Sequence, residues 1–148
     1  MAKKEKILLV DDDVDLVETL RLILESNGYD VVVANDAAAA LERADAERPD
    51  LILLDVMMPN ATEGFGVLWK LRQNTEQYFR EVPVIMATAI QERTGLRFHA
   101  EGDLLKAGDS LPAQAFLDKP LDPKLLLQTV QEVLTAAWRE RTAHSDRR

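Results

Sequence analysis

The sequence predicts one α/β domain built on a parallel, doubly wound sheet with helices on both faces. Five short apolar runs alternate with stretches that have helical periodicity. The runs are apolar throughout, as expected for strands covered on both faces. Parallel strands need crossover connections, so the alternation predicts helices on both sides of the sheet. The length of 148 residues is about that of one domain.

The first half of the chain predicts three strands and two helices. The strands cover residues 7–10, 31–34 and 51–54. An amphipathic helix over 14–27 follows the first strand, and Gly28 stands where a helix C-terminus commonly has glycine. Asp36 is predicted to cap an alanine-rich helix that runs to about Glu47.

The second half predicts the remaining elements and one irregular region. Helices are expected over 64–72 and 122–137, and strands over 82–87 and 115–117. The segment 89–114 between the last two strands contains three glycines and a proline, so we expect an irregular or extended fourth-helix region. The predicted domain covers 1–137, and 138–148 form a polar C-terminal tail.

Composition excludes several classes of protein. The chain has 18 Lys and Arg against 26 Asp and Glu, a net charge of −8, and no cysteine. A disulfide scaffold and thiolate metal sites are therefore excluded. The acidic balance argues against non-specific nucleic-acid binding, which needs a basic face. No apolar run reaches the ~18 residues of a membrane span, so we expect a cytoplasmic protein without membrane insertion.

Polar side chains stand at the ends of the predicted strands. Asp11 and Asp12 follow the first strand, Asp55 the third, Thr88 the fourth and Lys119 the fifth. Ligands of open α/β sheets bind beyond these carboxyl ends. Carboxylates that converge there repel one another unless a cation intervenes. A hard divalent ion such as Mg²⁺, which prefers oxygen ligands, is the natural partner.

Four short motifs carry a resemblance to a known family. They are Val10-Asp11-Asp12-Asp13, Leu54-Asp55-Val-Met-Met58-Pro59, Ala87-Thr88-Ala89 and Lys119-Pro120. In this order and strand context they resemble the receiver domain of bacterial two-component response regulators, of the stand-alone, chemotaxis-regulator-like kind. The resemblance covers about residues 5–137. It implies a flavodoxin-like sheet with strand order 2-1-3-4-5.

The resemblance also implies the roles of individual residues. Asp55 would be the phosphoacceptor, whose carboxylate attacks phosphorus to give an acyl phosphate. Asp11, Asp12, Asp55 and the backbone carbonyl of Met57 would hold Mg²⁺, with Asp11 acting largely through bound water.

Three further residues take roles around the phosphoryl group by the same resemblance. Lys119 would pair with its oxygens, and Thr88 would bond one of them through its hydroxyl. Phe116 occupies the position of an aromatic side chain that swings inward when the threonine moves, although an ordinary core or edge aromatic is an equal alternative.

The implied function is that of a phosphorylatable switch. A sensor histidine kinase or a histidine phosphotransfer protein would supply the phosphoryl group, and the signal would pass by protein–protein contact without an output domain. A phosphorylation-dependent dimer is one possible form. The protein would not be an enzyme beyond self-catalysed phosphotransfer and autodephosphorylation. Terminal output and phosphorelay intermediate both stay open.

Three consecutive aspartates follow the first strand, and two of them must be assigned as the acidic pair of the family. The family places its acidic pair directly after the strand, which favours Asp11 and Asp12 as the pair. Asp13 is then a residue of the helix N-terminus or an accessory acid.

Other functions fit fewer of these residues. Asp11-x-Asp13 also resembles the opening motif of haloacid-dehalogenase-like phosphatases, in which Asp11 would be the nucleophile, but this leaves the motif at Asp55 unexplained. A dinucleotide-binding module lacks the glycine-rich turn after the first strand. A receiver used only as a constitutive binding module is disfavoured by the intact set of site residues.

Overall fold

The computed structural model describes residues 4–55, 61–89 and 113–146. Two of the expectations above therefore lie outside the described residues. These are the metal ligand at Met57 and the irregular segment, of which 90–112 is not covered.

The described chain forms a five-stranded parallel sheet in the order β2-β1-β3-β4-β5. The strands are β1 (Lys6–Val10), β2 (Asp30–Ala34), β3 (Leu51–Asp55), β4 (Val84–Ala89) and β5 (Ala115–Lys119). The helices are α1 (Val14–Ser26), α2 (Ala37–Glu47), α3 (Ala61–Arg72), α4 (Gln77–Glu81) and α5 (Pro123–Asp146). The predicted flavodoxin-like fold and strand order are confirmed.

Strands β1 and β3 are buried on both faces, as their apolar runs predicted, whereas three of the five residues of edge strand β2 are only half-buried. Successive side chains of a strand point to opposite faces. In β1, Leu8 and Val10 join a core cluster with α2, α3 and α4, whereas Ile7 and Leu9 join a second cluster with α1 and α5. All four side chains are 1% exposed or less.

Local sequence signals set the ends of the first two helices. The Asp13 carboxylate accepts a hydrogen bond from the Leu16 N–H at 3.2 Å and caps α1. The Asp36 carboxylate accepts from the Ala39 N–H at 2.8 Å and caps α2. Gly28 follows α1 with a φ of 92°, a left-handed conformation that glycine adopts without steric cost.

The structure differs from the predictions around α3 and β4. Helix α3 begins at Ala61, three residues before the predicted start at Gly64. The short helix α4 was not predicted. Strand β4 covers Val84–Ala89 rather than 82–87, because Val82 still ends α4 through its N–H bond to the Tyr78 carbonyl at 2.8 Å.

The C-terminal helix is longer than predicted. We expected it to end near residue 137, but α5 continues to Asp146. The division into a domain over 1–137 and a tail over 138–148 stays a prediction. Within the described ranges, no helix has both the length and the apolar character that crossing a membrane would require.

Candidate functional site

The candidate site lies where the order of the strands reverses. The chain moves from β1 to β2, toward one edge of the sheet, and later from β3 to β4, toward the opposite edge. In open α/β sheets, ligands bind beyond the carboxyl ends of the strands at such a switch point. Asp11 follows β1 directly, Asp55 is the last residue of β3, and Lys119 is the last residue of β5.

Three carboxylates meet at this point, as the sequence predicted. One oxygen from each of Asp11, Asp12 and Asp55 lies within 4.8 Å of the others. The side chains of Asp11 and Asp55 are buried, with 3% of each residue exposed, whereas Asp12 is exposed to solvent. Buried like charges this close are unfavourable without a cation.

Lys119 supplies one positive charge to the cluster. Its Nζ lies 2.9 Å from Asp55 Oδ1 and 3.4 Å from Asp11 Oδ2. Burial lowers the pKa of Lys119, but the hydrogen bond to Asp55 and the charges of Asp11 and Asp55 outweigh burial, so the pKa is raised above its ordinary value. The ammonium group is therefore charged at neutral pH. Three carboxylates and one ammonium leave a formal charge of −2.

The donor set fits Mg²⁺. Mg²⁺ is a hard cation that takes oxygen ligands and is usually held by few carboxylates together with water and phosphate oxygens. The three carboxylates offer only oxygen ligands. Asp12 is exposed to solvent, so water or phosphate oxygens would fill the remaining coordination positions of the ion. The formal charge of −2 is the charge that a divalent cation neutralises.

Backbone contacts hold the buried aspartate of the β1–α1 connection in place. Asp11 Oδ1 accepts from the Asp13 N–H at 2.9 Å, and the Asp11 N–H donates to the Ala34 carbonyl at 3.1 Å. The Asp11 carbonyl accepts from Asn35 Nδ2 at 3.3 Å. Sequence analysis missed Asn35, and its position directly after β2 was the available signal, since β2 pairs with β1.

The geometry supports the assigned frame of the triple aspartate. Asp13 is the N-cap of α1, and its Oδ1 accepts from the Leu16 N–H. The group of carboxylates that meets at the switch point consists of Asp11, Asp12 and Asp55. The third aspartate therefore has a structural role of its own, while the first two face the site.

The remaining predicted residues are placed by the sheet register. Ala87 pairs with Asp55, so Thr88 comes one residue beyond it in β4 and pairs with Asp118. Phe116 pairs with Met86 and is 36% exposed, at the boundary between the sheet and solvent. The Lys119–Pro120 peptide is cis.

Comparison with known proteins agrees with this geometry. A family model described as "Response regulator receiver domain" matches residues 7–131. The chain is 38% identical over 130 residues to the alkaline phosphatase synthesis transcriptional regulatory protein PhoP of Bacillus subtilis, covering 88% of this chain and 48% of that protein. It is 37% identical over 144 residues to the transcriptional regulatory protein CpxR of Escherichia coli, covering 95% and 54%. The chain thus spans about half the length of these relatives.

Solved structures show the same likeness. A CheY-like response regulator receiver domain protein from Methanospirillum hungatei superimposes with a TM-score of 0.75 at 28% identity, covering 93% of this chain and 99% of that chain. NtrX from Brucella abortus gives a TM-score of 0.77 at 25% identity, covering 99% of this chain and 30% of that chain. The motifs, the sheet order and the match over residues 7–131 lead to one conclusion: the chain belongs to the family of response regulator receiver domains of two-component systems.

Proposed function

We propose that this receiver accepts a phosphoryl group on Asp55 in a Mg²⁺-dependent reaction. The donor is the phosphohistidine of a sensor histidine kinase or of a histidine phosphotransfer protein. The single observation that supports this most is the sharing of Lys119 between two buried carboxylates, with Asp12 beside them at the carboxyl edge of the sheet.

Asp55 has the properties of the nucleophile. Its carboxylate is buried at the end of β3, and Lys119 contacts Oδ1 at 2.9 Å. In the reaction, a carboxylate oxygen forms a bond to phosphorus while the bond from phosphorus to the donor imidazole nitrogen breaks. The imidazole leaves with the electron pair and takes up a proton. The product is an acyl phosphate on Asp55.

The surrounding residues stabilise the phosphoryl group by charge and position. Lys119 remains charged and pairs with a phosphoryl oxygen, and the Thr88 hydroxyl donates to another. Asp11, Asp12, Asp55 and the Met57 carbonyl would hold Mg²⁺. When bound, Mg²⁺ neutralises charge on the phosphoryl oxygens.

The signal then leaves the site by protein–protein contact. In this proposal Thr88 and Phe116 form the switch: Thr88 moves toward the phosphoryl group, and Phe116, now 36% exposed, moves inward. Such a change would alter the surface that a partner or a second copy of the chain contacts. Phosphotransfer from Asp55 to a histidine phosphotransfer protein would mark the chain as a relay intermediate, and its absence would mark a terminal output.

The phosphatase alternative fits the site less well. It needs Asp11 as the nucleophile, but Asp11 Oδ1 accepts from the Asp13 N–H and Asp11 Oδ2 lies 3.4 Å from Lys119. Asp11 Oδ1 is thus engaged within the β1–α1 connection. Asp55 lies closer to the same lysine, at 2.9 Å.

The experiment is phosphorylation by acetyl phosphate with Mg²⁺, followed by intact mass. Wild type should gain one phosphoryl group, and Asp55→Asn should gain none. Asp30→Asn is a matched control, because Asp30 is an exposed aspartate at the opposite end of the sheet. Steady turnover of a phosphate ester that Asp11→Asn abolishes and Asp55→Asn spares would instead establish the phosphatase.

A further inference from the structure

The backbone carbonyl of Asp11 accepts a hydrogen bond from a side chain. In a continued sheet, a backbone N–H of the neighbouring strand would donate to this carbonyl. Strands β1 and β2 pair as far as Val10 and Ala34, and the Asp11 N–H extends the ladder by donating to the Ala34 carbonyl at 3.1 Å. In a continued parallel ladder, the N–H of residue 36 would donate next to the Asp11 carbonyl. The chain instead turns there into α2, and Asn35 Nδ2 donates to this carbonyl at 3.3 Å.

This hydrogen bond acts on the peptide that joins the two metal-site aspartates. The Asp11 carbonyl belongs to the planar peptide group between Asp11 and Asp12. The orientation of this peptide group sets the position of Asp12 relative to the buried end of β1. Two other contacts lie on either side of this peptide: the Asp11 N–H donates to the Ala34 carbonyl, and the Asp13 N–H, beyond Asp12, donates to Asp11 Oδ1. Asn35 is the side chain that contacts the Asp11–Asp12 peptide group itself.

We infer that Asn35 is a positioning residue for Mg²⁺ binding. By holding the Asp11–Asp12 peptide, it keeps an oxygen of the exposed Asp12 within 4.8 Å of oxygens of Asp11 and Asp55. Groups that hydrogen-bond behind the metal ligands set metal affinity because they fix the ligand geometry. The inference rests on the proposed function, since it requires Mg²⁺ to bind at these three aspartates.

The test compares Asn35→Ala with Asn27→Ala. Asn27 is a matched control: it is also exposed, and its Nδ2 donates to the Ile23 carbonyl at 2.8 Å, at the C-terminus of α1. Mg²⁺ is titrated into each 148-residue protein, and the dissociation constant is read from backbone amide shifts of residues 11–13 in NMR spectra. Asn35→Ala should bind Mg²⁺ about 2- to 10-fold more weakly, the effect of one lost hydrogen bond. Asn27→Ala should bind Mg²⁺ as wild type does.

Thermal unfolding without Mg²⁺ separates positioning from a general loss of stability. Both variants lose one side-chain bond to a carbonyl, so both should unfold at a somewhat lower temperature, while the dissociation constant changes only in Asn35→Ala. An unchanged constant in Asn35→Ala, or an equal change in Asn27→Ala, would overturn the inference and leave the proposed function intact. If wild type itself fails to bind Mg²⁺, the proposed function fails first and the role of Asn35 fails with it.

Discussion

Two lysine–carboxylate pairs at opposite ends of the sheet have the same length and different surroundings. Lys119 Nζ lies 2.9 Å from Asp55 at the carboxyl end, and Lys6 Nζ lies 2.9 Å from Glu47 at the amino end. The Asp55 side chain is 2% exposed and the Glu47 side chain is 36% exposed. Lys119 also faces Asp11 at 3.4 Å. The distance alone therefore does not distinguish the site from an ordinary surface pair.

Burial and charge balance make the difference. The Lys6–Glu47 pair, whose carboxylate is 36% exposed, is screened by water and salt and contributes little. At the carboxyl end, one lysine faces several carboxylates with little solvent around two of them, so negative charge is left over. This excess negative charge is what the proposed Mg²⁺ would neutralise. The following predictions test this contrast.

The largest expected effect is the loss of the site lysine. Lys119→Met should slow phosphorylation by acetyl phosphate about 100-fold or more, because one positioned donor to the phosphoryl oxygens is removed. The matched variant Lys6→Met removes the partner of Glu47 and should phosphorylate at the wild-type rate. The rates are measured by intact mass over time. Equal rates in the two variants would mean that the buried pair has no special role.

Mg²⁺ affinity should depend on the acidic pair and not on the capping aspartate. Asp12→Ala should weaken Mg²⁺ binding at least about tenfold, because a direct ligand is lost. Asp13→Ala should bind Mg²⁺ nearly as wild type does, and should lose about 1 kcal/mol of stability with the α1 cap. Calorimetric titration and chemical unfolding measure the two effects. Equal losses of affinity would contradict the assigned frame.

Neutralising one carboxylate should change stability in opposite directions at the two ends. In the absence of Mg²⁺, Asp55→Asn should stabilise the fold on the order of 1 kcal/mol, because it relieves repulsion between buried carboxylates. Glu47→Gln should destabilise the fold slightly, because it breaks a partly exposed ion pair. Urea unfolding in a chelating buffer measures both. A destabilised Asp55→Asn would show that Lys119 already balances the site.

The smallest effect concerns alkaline pH. The pKa of Lys119 is raised in the folded protein, so its contribution to stability is full below the unfolded value of about 10.4. The contribution is lost as pH rises through the folded pKa. The difference in unfolding free energy between wild type and Lys119→Met should thus be constant from about pH 7 to about pH 10 and fall above it. A difference that stays constant through the alkaline range would contradict the raised pKa.

Much of the fold was predictable because local signals and global packing agree. The apolar runs of β1 and β3 are buried on both faces, and Asp36 caps α2 as its position indicated. The carboxylates at the ends of β1 and β3 were predicted to converge, because parallel strands bring their carboxyl ends to one edge. Their roles in the reaction stay predictions.

The missed features depend on contacts between distant residues or on the absence of a stop signal. Helix α4 has five residues, and its Tyr78 and Phe79 rings lie 5.0 and 4.7 Å from the Arg48 guanidinium. No local periodicity indicates such a contact. Helix α5 continues past residue 137 because 138–146 contain neither glycine nor proline, although the apolar face ends.

The most direct test of the account is to identify the phosphorylated residue. Wild type treated with acetyl phosphate and Mg²⁺ is reduced with borohydride, which converts an aspartyl phosphate to homoserine, and the product is mapped by peptide mass spectrometry. We predict conversion at Asp55 that depends on Mg²⁺ and disappears in Lys119→Met at short times. Conversion at Asp11, or no conversion while phosphate esters are hydrolysed, would contradict the account.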